Sequence, residues 1–94
     1  MFTIPRVNVI QSSEGFSVEL LGRTSLLYVE GEKSIRISSE MLASYNPAFA
    51  LYTRSIKTWD PPHDNEAIND TKRNEIVENI RRAYRFRGFE IEVY

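Results

Sequence analysis

The chain has 94 residues and no cysteine, which excludes a disulfide framework and a thiolate metal site and fits a single domain over residues 1–94. A formal net charge of −1 gives no overall pull toward nucleic acid or a membrane surface. At 41% hydrophobic and 27% charged residues the composition is ordinary for a globular protein. By size alone, roughly 5,600 Å² should stay exposed of about 15,800 Å² in the unfolded chain, enough burial for one core.

Met1-Phe2-Thr3-Ile4-Pro5-Arg6 lacks the basic start and apolar stretch of a signal peptide, and no apolar run approaches the ~18 residues of a membrane helix. The expectation is a cytoplasmic protein with no membrane partner. Val7-Asn8-Val9-Ile10 reads as an edge strand. Phe16, Val18 and Leu20 alternate with Ser17 and Glu19, the period-2 pattern of a half-buried strand, and Gly22-Arg23 offers a turn. Leu26-Leu27-Tyr28-Val29 is apolar on both faces, which predicts a central strand covered on each side. Gly31-Glu32 then separates it from the alternating run Ser34-Ile35-Arg36-Ile37, a hairpin signal. Residues 38–47 read as a loop or one short helical turn. Phe49-Ala50-Leu51-Tyr52 predicts a further strand, continuing irregularly to Ile56.

Trp59-Asp60-Pro61-Pro62-His63-Asp64-Asn65 cannot be a regular helix or a central strand, because both prolines lack a backbone donor and restrain the residue before them. It reads as a loop with a stiff, polyproline-like centre. A helix follows, with Asn69 as N-cap and Asp70 in the first turn. Ile76, Val77, Ile80, Ala83 and Tyr84 form its apolar stripe, and Glu78 is spaced to pair with Arg82. Gly88 suits the left-handed position past its end, with Phe89 packing back on Tyr84. Phe89-Glu90-Ile91-Glu92-Val93-Tyr94 alternates strictly and reads as a final strand. The fold class is α+β: a mainly antiparallel β-sheet, one principal helix in the C-terminal half packed on one face, and a strand after the helix.

Charge is distributed unevenly. Residues 59–78 hold six carboxylates against Lys72 and Arg73, a net −4, whereas residues 79–94 hold four arginines against Glu90 and Glu92, a net +2. Arginines 81, 82, 85 and 87 interleaved with Tyr84 and Phe86 could contact phosphates and bases, making a small nucleic-acid-binding regulator the alternative reading. The helix dipole and the buried stripe account for the same residues, and the acidic neighbour weakens the field, so nucleic acid is disfavoured. His63 stands among Asp60, Asp64 and Glu66 with no second histidine, so a solvated acidic loop explains it better than a metal site. No Gly-x-Ser-x-Gly elbow and no Gly-rich phosphate loop is present, and the sequence reads as a binding protein, not an enzyme, with no cofactor. Trp59 is the only tryptophan. It serves either to rigidify the loop against a core or as a binding anchor, and both hold if Trp59 is anchored while Asp60, His63, Asp64 and Glu66 are displayed.

The run Ser55-Ile56-Lys57-Thr58-Trp59-Asp60-Pro61-Pro62-His63-Asp64-Asn65-Glu66-Ala67-Ile68, followed by the helix and the closing Gly88-Phe89-Glu90-Ile91-Glu92, resembles immunity protein family 74 over about residues 49–94. The Trp-x-Pro-Pro loop and the Glu-x-Ile after it are the most specific part. The resemblance implies a small bacterial protein that neutralises a cognate polymorphic toxin by binding it, with no catalytic residue and no cofactor. Together with the loop chemistry it makes Trp59, Asp60, Pro61, Pro62, His63, Asp64 and Glu66 the candidate partner-binding residues.

Overall fold

In the computed structural model, which describes residues 1–43 and 47–94, strands and one long helix follow in chain order. They are β1 (Phe2–Arg6), β2 (Val9–Ser12), β3 (Phe16–Leu20), β4 (Ser25–Glu30), β5 (Lys33–Met41), β6 (Phe49–Leu51), a 3-10 turn (Thr53–Ser55), α1 (Asp70–Phe86) and β7 (Ile91–Val93). The sheet order is also the chain order, β1 to β7. Every neighbouring pair is antiparallel except β6 and β7, which run parallel because α1 carries the chain back between them. The fold is α+β, with the final strand after the helix. Its accessible surface of 5841 Å² is close to the size expectation, so the chain reaches ordinary compactness.

The two-residue Gly31-Glu32 connection joins β4 to β5 with Glu30 opposite Lys33, and Gly31 takes φ +62, as a tight hairpin turn matched to strand twist requires. Alternation then sends Val18, Leu26, Tyr28, Ile35 and Ile37 to one face, where each is fully buried with Ile76 and Ile80 of α1. Each such side chain contributes about 1.5–3 kcal/mol of transfer free energy. The opposite face carries Leu27 and Val29, which are only half-buried, so β4 is covered on one side and not on both as its apolar run suggested.

Four further expectations are corrected. Residues 38–41 are not loop: β5 continues to Met41, pairing Ser39–Met41 with β6, and Ser39 occupies a buried inward position. The rest of that predicted loop includes 44–46, which lie outside the described residues. The edge strand is not residues 7–10: β1 lies outside β2, and Val7-Asn8 belongs to the connection between them. β6 ends at Leu51, and the chain turns through the 3-10 turn instead of extending to Ile56. Finally, β7 is confined to Ile91–Val93.

Both ends of α1 follow their capping chemistry. Asn69 Oδ1 accepts from the Lys72 N–H at 2.8 Å. Past the other end Gly88 takes φ +84. The Gly88 N–H donates to the Arg85 carbonyl and the Phe89 N–H to the Tyr84 carbonyl, both at 2.9 Å, the two bonds of a Schellman motif. Beneath the helix the buried Tyr28 hydroxyl donates to Glu30 Oε1 at 2.6 Å and accepts from Asn79 Nδ2 at 2.9 Å, while Lys72 pairs with Glu30. Burial, reinforced by the bond to Glu30, raises the Tyr28 pKa and keeps the phenol protonated.

Candidate functional site: the Trp59–Glu66 loop

β6 pairs with only the last three residues of β5, which leaves the outward backbone groups of Ser34, Arg36 and Ser38 in need of partners. The segment after β6 supplies them. The Tyr52 N–H donates to the Ser38 carbonyl at 2.9 Å and Ser55 Oγ accepts from the Ser38 N–H at 3.0 Å. Asp60 then bonds twice: its N–H donates to the Ser34 carbonyl at 2.8 Å, and its Oδ2 accepts from the Arg36 N–H at 3.0 Å. A side-chain carboxylate thus stands where a neighbouring strand's carbonyl would be.

The loop is closed at its base. Thr58 and Ala67 form an antiparallel bridge, the Ile68 N–H donates to the Lys57 carbonyl at 2.8 Å, and the Trp59 N–H donates to the Glu66 carbonyl at 3.3 Å. Within it two turns follow each other, His63 N–H to Asp60 carbonyl and Glu66 N–H to His63 carbonyl, each 3.0 Å. The Pro61–Pro62 bond is cis, so the centre turns instead of running extended, and the polyproline-like expectation is corrected.

Trp59 is 4% exposed and belongs to the core cluster, stacked on Tyr28 at 6.4 Å between ring centroids and 26° between planes. Lys33 Nζ lies 5.9 Å from the centre of the indole ring and binds Glu66 Oε1 at 2.7 Å, which ties the far side of the loop to the β4–β5 hairpin. Sequence reasoning missed Lys33, since nothing in a hairpin strand signals a partner 33 residues on. The loop residues therefore divide: Trp59 is inside, Asp60 and His63 are half-buried, and Pro61, Pro62, Asp64, Asn65 and Glu66 are exposed. Asp60 and Glu66 are engaged within the protein, whereas Asp64 makes no ion pair among the described residues. His63 Nδ1 is buried with no hydrogen-bond partner. Among the described residues no group of three His, Asp or Glu side chains gathers closely enough to hold a metal ion.

The arginine-rich end of α1 is arranged differently from its sequence reading. Arg81 pairs with Glu78 at 3.1 Å, Arg85 with Glu90 at 3.0 Å, and Arg82 with Glu14 of the β2–β3 turn; the expected Glu78–Arg82 pair is replaced by these. The bond from Arg82 holds the Glu14 carboxyl below its usual pKa. Three of the four arginines are thus matched by carboxylates, which cancels most of the field a phosphate backbone would meet.

The fold and the loop define a small α+β domain that displays a turn held rigidly from beneath. The model of the family described as Immunity protein 74 matches residues 18–94, and the chain belongs to that family. The match begins in β3 and so takes in β4 and β5, well before residue 49, where the sequence resemblance was placed. No curated protein and no solved structure matches the chain. An immunity role follows from the family, and no helix of the described residues is long and apolar enough to cross a membrane.

Proposed function

We propose that the chain is a non-enzymatic, cytoplasmic immunity protein that binds a cognate toxin and blocks its active site or substrate entry, with the displayed face of the Trp59–Glu66 loop as a contact surface. The observation that carries the reading is the construction of that loop, on a chain of the Immunity protein 74 family. Trp59 and Asp60 fix it to the core and to β5, while Pro61, Pro62, Asp64, Asn65 and Glu66 form its exposed part with His63 half-buried among them. A loop already held in one conformation loses little entropy on binding, so its contacts are not spent on ordering it. Asp64 places negative charge on the outward face, beside Glu66 whose charge Lys33 balances, which suits a basic site of the kind a nucleic-acid-directed toxin carries.

The direct test is co-expression with the toxin-like reading frame beside its gene, scored by growth. The expected result is death with the toxin alone and growth with the pair. Death in both, with the immunity chain shown to be folded, would refute the pairing. The charge part is tested separately by reversing Asp64 and Glu66 to Lys: association should slow several-fold at low salt and converge on the wild-type rate at high salt. An unchanged rate at low salt removes steering from the mechanism.

A further inference from the structure

The opposite end of α1 carries a second surface. Where the last turn of the helix meets the β1–β2 connection, Val7, Ile10, Leu20 and Phe89 wall a cleft of about 240 Å³, with Asn8, Tyr84 and Arg87 also in its lining. The cleft is at the C-terminal end of α1, whereas the Trp59–Glu66 loop precedes its N-terminus. Two features give it chemical character. The Arg87 guanidinium, unlike those of Arg81, Arg82 and Arg85, makes no hydrogen bond or ion pair among the described residues. Tyr84 is 7% exposed, yet its hydroxyl has no hydrogen-bond partner and is not sealed in, since the one fully buried unpartnered side-chain atom among the described residues is His63 Nδ1. The Arg87 charge acts on that hydroxyl, offsetting part of the effect of burial, which pushes the Tyr84 phenol up to about 12. A cation and a neutral phenolic donor therefore share a mainly apolar lining with the amide of Asn8. Val7 in this lining is 80% exposed, and Ile4, Leu21 and Phe86, in chain segments close to the lining residues, are 44%, 39% and 50% exposed.

A carboxylate joined to an apolar body satisfies both halves of this lining, by a charge-assisted bond to Arg87 and by burial against Val7, Leu20 and Phe89. A bare anion leaves the walls wet, and a cation is repelled. We propose that this cleft is a docking site for a partner polypeptide that presents a carboxylate, of a chain terminus or an acidic side chain, beside an aliphatic or aromatic residue. The exposed Val7 in the lining and the exposed apolar residues in nearby chain segments suit a polypeptide better than a small acid. The site is independent of the loop and of the toxin-binding reading.

The test is a titration of ¹⁵N-labelled protein followed by NMR, with acetyl-Leu-Phe carrying a free carboxylate, the same dipeptide as its carboxamide, and acetate. Saturable shifts of the Val7, Leu20, Arg87 and Phe89 amides are expected with the free acid, with at least about 10-fold weaker binding of the amide. Arg87→Gln should bring acid and amide to equal affinity, and Val7→Glu should abolish binding of both. The proposal is overturned by shifts that do not saturate or that map elsewhere, by equal affinity of acid and amide for the wild type, or by acetate binding as well as the dipeptide.

Discussion

Replacing Trp59 by alanine separates a structural anchor from a surface contact. In the free protein the indole is 4% exposed, stacked on Tyr28 and covered by Lys33. A buried tryptophan takes about 200 Å² out of water. At about 25 cal/mol per Å² this is an upper estimate near 5 kcal/mol, in line with the 3–5 kcal/mol typical of Trp→Ala in cores. A chain of this size is expected to have only about 5–14 kcal/mol of total stability, so the variant should fold but sit close to its limit. With a urea slope of about 1.3 kcal/mol per molar, a loss of 4 kcal/mol lowers the midpoint by about 3 M. Since Trp59 is the only tryptophan, wild-type unfolding can be followed by its fluorescence and that of the variant by far-ultraviolet circular dichroism. A midpoint shift below about 0.7 M, a loss under 1 kcal/mol, would mean that the indole does not pack as described. Trp59→Phe should recover more than half of the loss, because it keeps the ring on Tyr28.

Three further outcomes follow from the same geometry. Asp60→Ala should cost about 1–2 kcal/mol and raise hydrogen exchange at the Arg36 amide, which loses its acceptor, whereas Asp60→Asn should retain most of the protection; equal exchange in all three proteins would contradict the staple on β5. Gly88→Ala should cost about 1 kcal/mol, because an L side chain is strained at φ +84, and an unchanged thermal midpoint would show that the Schellman turn is not needed. For Glu30 burial opposes ionisation, but the bonds from Lys72 and Tyr28 outweigh it and its pKa in the folded state is lowered. Its stabilising contribution is therefore full above the unfolded carboxylate value, about pH 4, and is lost as pH falls through the lower folded value. Glu30→Gln should be less stable near neutrality and flatter in acid, and parallel pH profiles would rule out Glu30 as a source of the acid limb.

The elements legible in the sequence are those with a strong local cause. The Gly31-Glu32 turn between alternating runs and the Asn69-to-Gly88 helix with its cap and stripe both stand where their chemistry put them. The second half of β5 was hidden because Ser39 fills an inward position that periodicity expects to be apolar. β1 was hidden by its place at the sheet edge, where most of its side chains face solvent and Pro5 breaks the pattern. Ion pairs across the fold, Glu14 with Arg82 and Lys33 with Glu66, carry no sequence signal, so an acidic loop and an arginine-rich helix end each looked more charged than they are. The loop residues themselves were legible as a group, but not their division: only the core on the far side of β5 reveals that Trp59 faces inward while Asp64 faces out.

The parallel pairing of β6 with β7 also bears on how the chain folds. Strands β1 to β5 join to neighbours a few residues away, so each hairpin closes with little loss of chain entropy. Phe49 and Ile91, by contrast, are opposite each other across 42 residues of sequence, and the intervening loop and helix must be in place before their strands can register. The meander should therefore assemble early and the β6–α1–β7 half late. In that order Asp60 meets an already formed β5, and the sheet edge acts as the template on which the displayed loop takes its shape.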